Sequence, residues 1–148
     1  MSTSMREAIL SRLATTTLKF TSVGPPVPAT YRSRKTGVTK AESPVIIVAP
    51  VNEPVERIAQ AGDRRDLEVE VQLVVRGDPW DSIADPWAIA IHAAIFSDAT
   101  LLALVSNVRA TDTLWTDEEA DRTAGVLSMR FRFTYLASAN SIAAPAFP

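Results

Sequence analysis

From Leu67 onward the chain alternates, with Leu67, Val69, Val71, Leu73 and Val75 set against Glu68, Glu70, Gln72 and Arg76. A two-residue period sends successive side chains to opposite faces, so this stretch predicts a long strand in a sheet with one wet face. A second such strand is predicted where Leu127, Met129, Phe131, Phe133 and Tyr135 alternate with Ser128, Arg130, Arg132 and Thr134, and antiparallel pairing with a neighbour is expected. Val45 to Ala49 is an apolar run fenced by Pro44 and Pro50, the pattern of a short central strand covered on both faces. Val108 to Thr116 reads as a further strand, and Tyr31 opens a short extended segment.

Helical spacing appears in three places. Ser4-Met5-Arg6-Glu7 has the form of a capping box, followed by Met5, Ile9, Leu10, Leu13 and Ala14 on one face,. The β-branched Thr15, Thr16 and Thr17 weaken the end of that helix,. From Trp87 to Phe96 nearly every residue is apolar, which predicts a helix that must be covered by protein. Asp85 is placed to cap it, with Pro86 at its first position. Asp98 is placed to cap a short helix from Ala99 to Val105, which Asn107 would end in the left-handed region,.

The remaining segments read as connections. Gly24-Pro25-Pro26 and Pro28 interrupt regular structure,. Residues 32–43 form an exposed basic loop carrying Arg32, Arg34, Lys35 and Lys40 with repelling charges,. Pro54 to Gly62 reads as a polar linker, Thr116 to Thr123 as an acidic connection, and Gly125 as the return from it. The small-residue tail, 137–148, is expected to order against a partner. These elements predict one α+β domain over residues 1–148: a mainly antiparallel sheet of long strands, packed on one side by an N-terminal helix, a central buried helix and a short helix. A ten-residue strand spans roughly 33 Å, whereas a domain of this length has a radius of gyration of about 15 Å. Long strands therefore reach the domain's edges, where a neighbouring subunit can take up their unpaired ladder groups.

Composition narrows the chemistry. The 148 residues hold no cysteine, which excludes disulfides, thiolate metal sites and thiol nucleophiles,. A net charge of -2 has the wrong sign for gripping nucleic acid through phosphates,. No run of about 18 apolar residues occurs, so no membrane partner is expected, and Met1 to Phe20 lacks the pattern of an export signal,. His92 is the sole histidine and lies in the apolar helix, where a packed structural role is expected, since a metal site would need partners. Asp117, Glu118, Glu119 and Asp121 fit no calcium-loop spacing and read as a solvated turn or an interface charge patch,. The five glycines are too dispersed for a phosphate-binding loop,. Asp78-Pro79-Trp80 and Asp85-Pro86-Trp87 read as two turns with aromatic anchors,. Arg130 and Arg132 are placed to pair with acids such as Glu68 and Glu70 across strands, or to touch a partner,. No catalytic, cofactor or metal residues are expected. The candidate interface residues are Arg32, Arg34, Lys35, Lys40, Asp117, Glu118, Glu119, Asp121, Arg130 and Arg132.

The pieces Tyr31-Arg32-Ser33-Arg34, Ala41-Glu42-Ser43-Pro44, Arg76-Gly77-Asp78-Pro79-Trp80, Ile83-Ala84-Asp85-Pro86-Trp87 and Ile91-His92-Ala93-Ala94 occur in this order. Glu118 to Gly125 follows, with the strand that ends in Tyr135. Their order and spacing resemble the tail-terminator, or tail-completion, proteins of long-tailed bacteriophages and prophages. The resemblance implies helices packed on a mainly antiparallel sheet and assembly as a hexameric ring. Such a ring caps the finished tail tube, ends tube polymerisation and offers the surface that joins the head. The implied partners are further copies of the chain, the tail tube protein and a head-completion or connector protein, with viral DNA passing through the ring. The implied place is the head-proximal end of the virion tail, after synthesis in the host cytoplasm. The alternatives are a head-side connector or neck protein, a small-molecule-binding module walled by Trp80 or Trp87, and a nucleic-acid-binding module.

Overall fold

The computed structural model describes residues 3–20, 27–34, 43–60, 62–77, 79–118, 121–138 and 141–145. Its first element, α1 (Met5–Arg12), begins as the capping pattern requires, with Ser4 Oγ accepting from the Glu7 amide at 3.1 Å. The threonine run then widens the helix into one π-helical turn, Leu13–Thr17, where Thr15 Oγ1 donates back to the Ser11 carbonyl,. Seven strands follow: β1 (Ala29–Arg32), β2 (Val45–Asn52), β3 (Val55–Ala59), β4 (Gly62–Arg76), β5 (Asn107–Glu118), β6 (Asp121–Ser138) and β7 (Ser141–Pro145). Helices α2 (Trp80–Ser97) and α3 (Ala99–Ala103) lie between β4 and β5.

The sheet runs β1-β2-β4-β6-β5, with β3 beside β4 and β7 beside β6. Among the described residues only the β1–β2 pair is parallel. β4 pairs with β6 from Gly62↔Ser138 to Arg76↔Ala124, so the two alternating segments form the centre of the sheet. They are longer than their apolar patterns, at 15 and 18 residues, or about 50 and 60 Å if fully extended. One face carries the helices. Ile9, Leu10 and Leu13 of α1, Ile91 and Ile95 of α2, and Val69, Val71, Leu73, Phe131 and Phe133 of the sheet are buried in a single core. The α+β architecture is therefore the one the patterns predict.

Several local readings are corrected. The linker from Pro54 is strand β3, because the first residues of β4 extend past β2 and need a ladder partner: Val55 pairs with Arg65 and Arg57 with Asp63. β2 and β3 thus line one edge of β4 in succession, interrupted at Glu53-Pro54, where proline has no amide to donate. The sheet's second face is not wholly wet, since Val45, Ile47 and Val74 are buried there in a smaller apolar cluster. The run Val45 to Val48 is buried as expected, but β2 becomes exposed from Pro50.

The central helix starts at Trp80 rather than Trp87, with Pro79 as its extended N-cap residue and the Ile83 amide on the Pro79 carbonyl at 3.2 Å. Pro86 therefore lies inside the helix and deprives the Ser82 carbonyl of a donor, a cost of about 3 kcal/mol. Burial of Trp80 and Ala84 by the added turns opposes that cost. The Asp-Pro-Trp triplets are accordingly a helix start and a helix interior, and Asp85 does not cap. Nor does the chain itself cover all of α2, for Ile89 is 65% exposed and Phe96 38%. Asp98 does cap α3, accepting from the Thr100 and Leu101 amides. That helix is shorter than expected, ending at Ala103. Asn107 opens β5 instead of a left-handed stop, because Ser106 has already hooked the chain to the Thr134 carbonyl at 2.8 Å.

At the far end, the acidic connection shortens, because β5 runs through Glu118 and β6 starts at Asp121. Gly125 sits within β6, opposite both Val75 and Asp117, rather than at a return. Residues 137–138 belong to β6, and β7 pairs with that strand through Ala137↔Pro145 and Ser138↔Ser141. This part of the tail is ordered by the chain's own sheet, whose ladder supplies backbone partners; residues 139–140 and 146–148 lie outside the described residues.

Candidate assembly surface at the edge of the sheet

β5 ends the strand order, and among the described residues no strand pairs with its outer edge. Its ladder with β6 is interrupted between Ala110 and Asp112. This bulge shifts the alternation by one residue. Val108 and Ala110 lie opposite buried Phe133 and Phe131, but beyond the bulge it is Thr113 and Trp115 that lie opposite Met129 and Leu127. Trp115 therefore faces the helix layer, and Leu114 faces the opposite side of the sheet. They remain 47% and 58% exposed. An edge strand with large apolar side chains on both faces is a template for another chain.

Trp115 is held by its neighbours. Its ring centroid lies 6.0 Å from that of Trp80, whose indole N–H donates to Asp117 Oδ1 at 2.5 Å. Between α2 and β5 runs an open groove of about 380 Å³, lined chiefly by Ala88, Ile89, His92, Trp115, Leu127 and Met129. His92 packs as an aromatic ring, 4.7 Å from Phe96 and 6.2 Å from Phe131 between centroids, yet it stays exposed. Asp81 and Asp85 line a second recess that shares Trp115 as a wall. The surface is thus apolar at its centre and acidic at one end.

The residues singled out from the sequence are spread over the fold. Arg32 makes two hydrogen bonds to Glu7, at 2.6 and 3.1 Å, which tie β1 to α1 and lower the Glu7 carboxyl from its ordinary value. Arg34 lies over the Tyr31 ring, 4.8 Å from its centroid. Lys35, Lys40 and Glu119 lie outside the described residues. Asp117 anchors Trp80, and Glu118 and Asp121 are the last paired positions of the β5–β6 hairpin. Arg130 and Arg132 form the expected cross-strand pairs with Glu70 and Glu68, at 3.3 and 3.0 Å. Of the ten, then, only Asp117 is tied to the apolar patch on β5 by a described side-chain contact. The patch itself had one sequence signal, two adjacent large apolar residues in an otherwise polar strand, which alternation cannot bury together.

Among the described residues no three His, Cys, Asp or Glu side chains converge to hold a metal ion, and no helix is long and apolar enough to cross a membrane. The edge of β5 offers apolar contact area at Leu114 and Trp115 beside the carboxylates of Asp81, Asp85 and Asp117. Compared with protein-family models and with curated proteins, the chain matches none.

Proposed function

We propose that this chain is a structural subunit of a long-tailed bacteriophage, forming a ring that caps the tail tube, ends tube polymerisation and presents the head-joining surface. The observation that carries the reading is the open β5 edge, with Leu114 and Trp115 exposed on its two faces; it supports association with further copies. The ordered sequence pieces that resemble tail-terminator proteins supply the viral setting, and the ring's hexameric number comes from that resemblance alone. The near-neutral charge suits a ring through which DNA slides without being held,. Native mass spectrometry of the purified chain, with electron microscopy of labelled particles, tests the reading. A ring at the head-proximal end of the tail is expected. A strict monomer absent from that end defeats the proposal, and a ring on the head side of the joint favours a connector instead.

A further inference from the structure

We infer that β5 of one copy pairs with β1 of the next, so that neighbouring sheets join edge to edge head-to-tail; this rests on the ring reading above. β1 is the opposite end of the strand order, and among the described residues no strand lies beyond it. The two edges differ in shape in a complementary way. On the helix-facing side Trp115 projects at β5, while beside β1 lies a recess of about 550 Å³ whose lining includes Lys19, Phe20, Val27, Pro28 and Thr30. On the other face Leu114 is exposed at β5 and Tyr31 at β1, for Tyr31 and Ile47 are a register pair and Ile47 belongs to the cluster on that face.

Charge chooses the direction. Asp81, Asp85, Asp112 and Asp117 outnumber Arg109 around the β5 edge, whereas Lys19, Arg32 and Arg34 surround β1. Arg32 is already matched by Glu7, and the exposed Lys19 beside the recess supplies opposing charge. Pairing β5 with β5 of a two-fold mate, centred between Leu114 and Trp115, would set Asp112 opposite Asp117, and like charges directly opposite are destabilising. A two-fold contact also closes at two copies, whereas a head-to-tail contact continues until its rotation closes a ring.

The absence of native cysteine makes the test clean. Tyr31→Cys is combined in turn with Asp112→Cys, Leu114→Cys and Thr116→Cys, three positions on one face that sample the register in steps of two. Directly opposed strand residues have Cα atoms about 4.5–5.5 Å apart, within disulfide reach. After mild oxidation, at least one double variant is expected to give a reducible ladder beyond dimer on a denaturing gel, while each single variant stays monomeric. A single β5 variant that forms covalent dimers overturns the inference in favour of two-fold edge pairing. Rings seen by native mass spectrometry with no ladder from any double variant overturn the edge pairing but spare the ring, whereas a chain monomeric in both assays overturns both.

Discussion

The indole of Trp80 fills the space that a side chain at position 125 would need. A Cβ built on Gly125 would lie 2.1 Å from Trp80 Cε2, far inside van der Waals contact, and Trp80 is fixed there by its bond to Asp117. One glycine in β6 therefore admits the ring that starts α2 and supports Trp115. Gly125→Ala is expected to cost about 3 kcal/mol in urea denaturation through overpacking, and to blue-shift or otherwise change the tryptophan fluorescence of the native state. A fully stable variant with unchanged fluorescence would refute this packing.

Asp98 joins three elements. Its carboxylate accepts from Arg12 at 2.9 and 3.0 Å, from Thr17 Oγ1 at 2.6 Å and from the Thr100 and Leu101 amides that it caps. The Arg12 bonds, followed by those from Thr17 and Leu101, hold its carboxyl well below the usual carboxylate range. A depressed folded pKa makes its stabilisation fully present above the unfolded value of about 4, and the stabilisation is lost as the pH falls further toward the folded value. Asp98→Asn is expected to cost about 2 kcal/mol at neutral pH and to flatten the acid limb of the stability curve between about pH 4 and 2. Chemical denaturation at a series of pH values measures both effects.

Two isoleucines on α2 separate the buried side of the helix from its open side. Ile91 is fully buried and Ile89 is 65% exposed. Ile91→Ala should cost about 3 kcal/mol by leaving a cavity, while Ile89→Ala should change the isolated chain by less than about 0.5 kcal/mol. Equal losses at the two positions would contradict the orientation of α2.

Tyr135 is buried with its hydroxyl donating to Glu53 Oε1 at 3.1 Å, and Arg65 donates to the same oxygen at 2.8 Å. Burial first, then the charge of Glu53 and the bond to it, pushes the phenol above the ordinary tyrosine range. A raised folded pKa means that its contribution is complete below about pH 10 and is lost as the pH climbs through the folded value. Tyr135→Phe should cost about 1 kcal/mol at neutral pH and lose less stability than the parent between pH values of about 9 and 11. Urea midpoints at the two pH values give the comparison.

Much of the fold is legible because apolar burial on one face imposes period two on a half-covered strand. Leu67 to Val75 and Leu127 to Tyr135 show it plainly, and they are paired at the centre of the sheet. Asp98 and Ser4 are legible for a different reason: a cap satisfies amides within three residues of itself,. The pairing of Glu68 with Arg132 and Glu70 with Arg130 follows from the same alternation once the two strands are neighbours.

Other features depend on residues far apart in the chain. β3 has no strong apolar period and exists because β4 offers it a ladder. The first turns of α2 persist across Pro86 because Trp80 is buried against β6 and bonded to Asp117, and Gly125 reads as a turn residue until that contact is known. The bulge between Ala110 and Asp112 decides which of Leu114 and Trp115 faces the helices. By itself the sequence determined the α+β class, the two central strands and the helix caps, because each rests on local periodicity or on hydrogen bonds a few residues long. Only the tertiary structure decided where α2 begins, which side of it stays open and which strand is left as an edge. Those outcomes depend on which distant surfaces meet, and no local pattern encodes that.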